Sequence, residues 1–315
     1  MRKYVLTQDV GSLMSKWASQ RGFIIPDGNY FQSLTEGIVA DLQLLFDKYK
    51  RDVKVVVILA QDLIEKMKRK LALDEDDFIV SLDRAYFDSH FYLEVNRVVK
   101  NKKAVWCPLG EAQRPGAKSP ESQIEEAVRM AGGKKIVLID DGCWTGDSAM
   151  NIIGKIIAKG GSIKKVIFGI LVERDNLSFG VPTQSIFSFH HLEIMDWICE
   201  RDFVPGTPLG GRTVLEQSGE RKYNIGAYYL YGMGDLINWA SLDFPEKDVK
   251  SYSKKCIYRA LDFFQKTEAL SGKRILLQDV SRIPFNLRKS DPQIAFIDAL
   301  EEVADKLISD KKDRC

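Results

Sequence analysis

Apolar residues recur at three-and-four spacing in two stretches near the start of the chain. They are Val10, Leu13, Met14 and Trp17, ending at Gly22, and then Phe31, Leu34, Ile38, Leu42, Leu45 and Phe46. That spacing puts each set on one helix face and predicts a helical N-terminal segment. The period then changes. Val53 to Ala60 is a near-continuous β-branched run, as in a strand buried on both faces of a parallel sheet, and Leu63, Ile64, Met67 and Leu71 follow as the face of a covering helix. Phe78 to Leu82 reads as another strand, and Phe91, Leu93 and Val95 alternate with Tyr92, Glu94 and Asn96 as a half-exposed one. Three prolines and two glycines from Pro108 to Pro120 predict a long loop, of a kind that is usually functional or disordered.

The clearest unit follows. Ile136-Val137-Leu138-Ile139 predicts a buried strand, Ala149, Ile152, Ile153, Ile156 and Ile157 a helix ended by Gly160-Gly161, and Val166 to Val172 the next strand. This βαβ order requires a parallel sheet and a right-handed crossover. Beyond Gly211 the pattern is mixed, with aromatics at Tyr228, Tyr229, Tyr231 and Trp239. Two helices are then expected, one on Tyr252, Cys256, Ala260 and Phe264, the other on Ile294, Ile297, Leu300, Ala304 and Leu307, opened by Ser290-Asp291-Pro292 as cap and N1 proline. The predicted organisation is an N-terminal helical segment (1–51), an α/β core with a parallel sheet flanked by helices (52–210), and a mostly helical C-terminal extension (211–315).

Composition narrows the function classes. With 45% apolar and 29% charged residues the chain is of ordinary globular type, and 46 Lys plus Arg against 44 Asp plus Glu leave no basic field for nucleic acid or a membrane surface. The longest apolar stretch, Val55 to Ala60, falls far short of the roughly 20 residues of a membrane span, and the polar N-terminus offers no signal peptide. Five cysteines without a C-x-x-C pair argue against disulfides or zinc, and His90, His190 and His191 lack ligand spacing. No protein metal site is expected, a small-molecule partner is left by default, and a reducing cytoplasm fits best.

Candidate chemistry concentrates after Ile139. Asp140-Asp141-Gly142-Cys143-Trp144-Thr145-Gly146-Asp147-Ser148 joins the strand to the helix, at the carboxyl edge where parallel sheets bind ligands. Carboxylates there suit the vicinal hydroxyls of a ribose, and the hydroxyls and amides of Thr145, Gly146 and Ser148 at a helix N-terminus suit a phosphate. Taken singly, the acidic pair also reads as a solvated turn and Thr-Gly-Asp-Ser as a helix cap. Phe203 or Trp197, in the charged stretch before Gly206, reads as a base-stacking ring or as core.

Ile136 to Ser148 resembles the signature of type I phosphoribosyltransferases, in which four apolar residues and two acids precede a Thr-Gly-x-Thr/Ser loop. The likeness extends more loosely over about residues 52 to 205. It implies a magnesium-dependent transferase that displaces pyrophosphate from C1 of phosphoribosyl pyrophosphate (PRPP) with a nucleobase-like acceptor. In that reading Asp140 and Asp141 hold the ribose hydroxyls and Thr145, Gly146, Asp147 and Ser148 wrap the 5′-phosphate. The turn at Ala60 and Gln61 meets the pyrophosphate, and Arg114 and Lys118 lie in a loop resembling the mobile catalytic lid. Magnesium (Mg2+) would arrive on PRPP oxygens, and a homodimer, common in the family, is compatible. The alternatives are a catalytically silent PRPP or nucleotide sensor and a phosphoribosyltransferase-like effector of a bacterial defence or toxin system.

Overall fold

The computed structural model describes residues 1–71, 74, 76–100, 106–114, 116–209, 212–215, 222–225, 241–280 and 291–309. In chain order the elements are β1 (Arg2–Gln8), α1 (Val10–Arg21), α2 (Gly28–Lys48), β2 (Val53–Leu59), α3 (Ala60–Leu71), β3 (Asp77–Ser81), β4 (Phe91–Tyr92), β5 (Val95–Lys100) and β6 (Trp106–Gln113). They continue with α4 (Pro120–Ala131), β7 (Lys135–Cys143), α5 (Asp147–Ala158), β8 (Ile163–Glu173), β9 (Thr183–His190) and β10 (Ile194–Cys199). Last come β11 (Arg212–Leu215), β12 (Lys222–Ile225), α6 (Glu246–Ser271) and α7 (Phe296–Ser309). The protein is α/β, with parallel sheets flanked by helices.

A five-stranded sheet, order β4-β3-β7-β8-β9, is parallel throughout. Its centre is β7, whose residues Ile136 to Ile139 are wholly buried. Successive side chains of a strand face opposite ways, so Ile136 and Leu138 pack with Ile124 of α4 and Ile152 of α5, whereas Val137 and Ile139 pack with Leu63 and Met67 of α3. A second parallel sheet, β10-β1-β2, lies against the first through Val5, Ile58, Ile170, Val172 and Ile194. A mixed sheet, β12-β11-β5-β6, completes the fold.

Several expectations are corrected here. The N-terminal segment is not only helical, because β1 precedes α1 and pairs with β2 from Arg2↔Val53 to Gln8↔Leu59. The boundary expected at 51/52 therefore falls inside one sheet. The buried β-branched run forms β2 as expected, but in the second sheet, so α3 is a crossover from that sheet onto the face of the first. Part of the expected loop 108–120 is strand β6. Its Pro108 is accommodated because β6 lies at the edge of its sheet, where a missing N–H costs no ladder bond. The C-terminal extension contributes β11 and β12 before its helices. Helix α7 begins at Phe296, because Pro292 and Ile294 are drawn off to accept the N–H groups of Gln278 and Leu277. Tyr228, Tyr229, Tyr231, Trp239 and Ser290 lie outside the described residues.

One core joins the two ends of the chain. Phe31, Leu34, Ile38, Leu42 and Phe46 of α2 meet Tyr252, Cys256, Ile257, Ala260, Phe263 and Phe264 of α6 and Phe296 and Leu300 of α7. Each fully buried ring contributes roughly 1.5–3 kcal/mol. Arg259 of α6 donates to the Gly37 carbonyl of α2 at 2.8 Å, and Asp41 takes both Lys255 and Arg259.

Candidate functional site

The carboxyl ends of both parallel sheets meet. From β7 come Asp140 and Asp141, and from the turn after β3 come Asp83 and Tyr86. The end of β1 leads to Asp9, and β10 leads through Cys199 to Glu200 and Arg201, which open a short 3-10 turn, Glu200–Phe203. Neighbouring registers bring these ends level: Thr7 pairs with Cys199, Ser81 with Ile139, and the Leu82 N–H donates to the Ile139 carbonyl at 2.9 Å.

Charges here are buried and paired. Arg201 reaches Asp9 Oδ2 at 3.0 Å through Nη1 and Asp141 Oδ2 at 3.2 Å through Nη2. Asp9 also accepts the Arg201 N–H at 2.9 Å and the Tyr86 hydroxyl at 2.8 Å. Asp9 stands where a residue would cap α1 yet makes no side-chain cap. Instead Glu200 Oε2 accepts the N–H groups of Asp9 and Val10, each at 3.1 Å, capping the helix from 190 positions away. Asp83 accepts the N–H groups of Ala85 (3.0 Å) and Tyr86 (2.6 Å), which shapes the turn.

Burial is the leading influence on these acids. It raises Asp9 above the ordinary carboxylate range against the pull of Arg201, and with the charge of Asp141 it brings Asp83 up to about 6. Burial, then the charges of Asp141 and Asp83, push Asp140 well up. Burial also lifts Glu200 to about 7 despite the Thr35 hydroxyl and two backbone donors. Asp140 is thus shifted toward its protonated form beside Asp141, whose partner is Arg201. Two adjacent carboxyls, one of them ion-paired, offer acceptor oxygens to vicinal hydroxyl groups.

The expected phosphate turn joins β7 to α5 through Gly146, at φ 88°. A Cβ there would stand 2.6 Å from Leu177 Cδ1, so the glycine is demanded by the 174–179 segment as well as by its dihedral. The amides of the first turn of α5 lack helical partners by geometry. Asp147 is exposed, and its carboxylate accepts the Thr145 hydroxyl at 2.8 Å. A phosphate using that hydroxyl must release it from Asp147. Asp147→Asn is therefore expected to strengthen inorganic phosphate binding by roughly two- to fivefold in isothermal titration; weaker binding would mean that the turn takes no anion.

The remaining candidates are dispersed. Ala60 and Gln61 open α3 after β2 of the second sheet, with Ala60 buried and Gln61 donating to Glu65 at 2.9 Å. It is β3, not β2, that adjoins β7. Lys118 lies just before α4 and pairs with Glu126 at 2.8 Å, and Arg114 follows β6, its N–H donating to the Glu94 carbonyl at 2.8 Å. Phe203 is wholly buried and edge-on to Tyr252, so it is core and cannot stack on a base without leaving it. Trp197 is half-buried. Its Nε1 donates to Thr7 Oγ1 at 2.7 Å and its ring lies where a Cβ on Gly142 would come within 2.4 Å, which joins the two sheets at the acidic turn. Asp9, Asp83, Tyr86, Glu200 and Arg201 are the participants that sequence patterning misses. The one local signal is the charged triplet Glu200-Arg201-Asp202 set between the apolar end of β10 and Phe203-Val204.

The class defined by this geometry is an α/β protein whose parallel sheets share a carboxylate-lined carboxyl edge. Comparison of the chain with protein-family models, curated proteins and solved structures gives no match. No helix among the described residues is long and apolar enough to cross a membrane.

Proposed function

We propose that the chain binds PRPP at the carboxyl edge of the five-stranded sheet and transfers its phosphoribosyl group to a nucleobase-like acceptor. One observation carries this reading: β7 bears Asp140 and Asp141 near its carboxyl end and, past Cys143, the chain turns through Gly146 into the N-terminus of α5. Hydroxyl-binding acids thus stand beside unpaired helix amides, which is the donor and acceptor set of a ribose 5-phosphate.

Asp140 and Asp141 hold the ribose hydroxyls while the first turn of α5 takes the 5′-phosphate. The bond from C1 to the pyrophosphate oxygen breaks, the acceptor nitrogen bonds to C1, and the acceptor gives up its proton. The turn Leu82–Tyr86 adjoins the acids and is better placed for the departing pyrophosphate than Ala60 and Gln61. Arg114 or Lys118, in the segment between β6 and α4, supplies a countercharge if that segment closes over the acids. Among the described residues no group of three or more His, Cys, Asp or Glu is set to hold a metal. Magnesium would arrive with PRPP on substrate oxygens and keep water ligands, as that ion prefers.

A silent sensor is the second reading, favoured by the commitment of Lys118 to Glu126. The deciding experiment is calorimetric titration with PRPP and magnesium, followed by a pyrophosphate-release assay with purine and pyrimidine bases. Binding with release supports the transferase, binding without release the sensor, and no binding removes both. Asp141→Asn is expected to weaken PRPP by roughly 10-fold or more while α5 still binds phosphate, since hydrogen bonds to a charged group are worth about 1.5–3 kcal/mol. Unchanged PRPP affinity in that variant would separate Asp141 from the ribose.

A further inference from the structure

Two sheets end on one guanidinium. Asp9 follows β1 of the second sheet and is held at three points: its Oδ1 accepts the backbone N–H of Arg201, its Oδ2 accepts the Tyr86 hydroxyl, and Arg201 Nη1 lies 3.0 Å from that Oδ2 as an ion pair. Backbone and side chain of Arg201 are thereby locked to one carboxylate, which aims the other arm of the fork, Nη2, at Asp141 on β7. The side chain is only 8% exposed, so little water competes for these contacts. The surrounding groups leave it little freedom. The Tyr86 ring lies 5.2 Å from its guanidinium carbon, Cys199 precedes it on β10, and Asp202 follows it. Asp83 and Asp140 crowd Asp141 from the β3 turn and from β7 itself. Without a cation here Asp141 would face two other acids and turn away from them.

We infer that Arg201 is a positioning residue for Asp141, and that strand β1, through Asp9, is a working part of the site. The inference deepens the ribose reading above and rests on it. A lysine cannot reproduce the arrangement, because a single ammonium has no planar fork with which to serve two separated carboxylates in fixed directions.

The test uses the full chain as wild type, Arg201→Lys, Arg201→Met and Asp9→Asn. Each is titrated with PRPP plus magnesium and separately with inorganic phosphate, from about pH 6 to about pH 8.5, with carboxyl titration followed by carbon-13 NMR. Arg201→Lys keeps the buried charge and guards against a variant that fails to fold. It is expected to weaken PRPP roughly 10- to 100-fold, the usual penalty for a displaced binding group, while phosphate affinity stays within about twofold. Asp9→Asn is expected to fall between wild type and Arg201→Lys. In Arg201→Met the midpoint of Asp83 is expected to rise above its value of about 6, because the guanidinium opposes its protonation. PRPP affinity within about twofold of wild type in folded Arg201→Lys, or parallel loss of PRPP and phosphate, would overturn the inference. Were wild type to bind phosphate but not PRPP, the ribose reading would fall. An unmoved Asp83 midpoint in Arg201→Met would then overturn the positioning role as well.

Discussion

Glu200 is expected to cost the folded chain about 3 kcal/mol as pH rises from about 4.5 to about 8, and Glu200→Gln is expected to abolish that loss. Burial against the N-terminus of α1 lifts this carboxyl from an ordinary 4.5 to about 7. The native state therefore binds a proton that the unfolded chain has released. The sign follows from the proton count: between those two values the native state holds more protons, so stability is full below about 4.5 and falls until the group has ionised above about 7. Glutamine imitates the protonated acid, accepting the N–H groups of Asp9 and Val10 without a charge to bury. Other groups titrate in the same range, Asp83 among them, but they are common to both chains. The difference between urea-unfolding free energies of wild type and Glu200→Gln, measured from about pH 5 to about pH 8, isolates the effect. Parallel curves would mean that Glu200 is ionised throughout and its burial compensated.

Gly146→Val is expected to destabilise the protein by roughly 3 kcal/mol or more, through two separate causes. A β-branched residue at φ 88° is strained by about 1–3 kcal/mol, and a Cβ 2.6 Å from Leu177 Cδ1 and 3.3 Å from Phe179 Cε1 overpacks by a similar amount. Gly160 has nearly the same dihedral, φ 82°, with nothing within 4 Å of its Cβ direction. Gly160→Val should therefore show the strain alone, and urea midpoints of the two variants separate the terms. Equal losses would remove packing from the explanation. Loss of phosphate binding in Gly146→Val would report the fold first and the ligand second, which makes Asp147→Asn and Asp141→Asn the cleaner probes of the site.

Contiguous units were legible from the sequence. The β7–α5–β8 segment carries its period in an unbroken stretch, and the strand supplies four consecutive residues of zero exposure. Helices α1, α2 and α6 were readable for the same reason, each having a complete apolar face within its own turns. Strand β1 was hidden. Tyr4, Val5, Leu6 and Thr7 are all fully buried, yet the run is too short and too polar at its ends to announce a strand. Its burial is created by β2 and by β10, whose partner residues lie about 190 positions along the chain.

The same division runs through the site. By itself the sequence determined that two acids, a glycine and a helix N-terminus lie together at the end of a buried parallel strand, because all of them are local to Lys135–Ala158. Only the tertiary structure decided what faces those acids. Arg201 is 60 positions from Asp141 and 192 from Asp9, and Tyr86 is 77 from Asp9. No periodicity spans such separations, since a helix or strand pattern records only which face of one element is apolar. The pairing of sheet ends brings these charges together, and burial then sets which of them keep their protons.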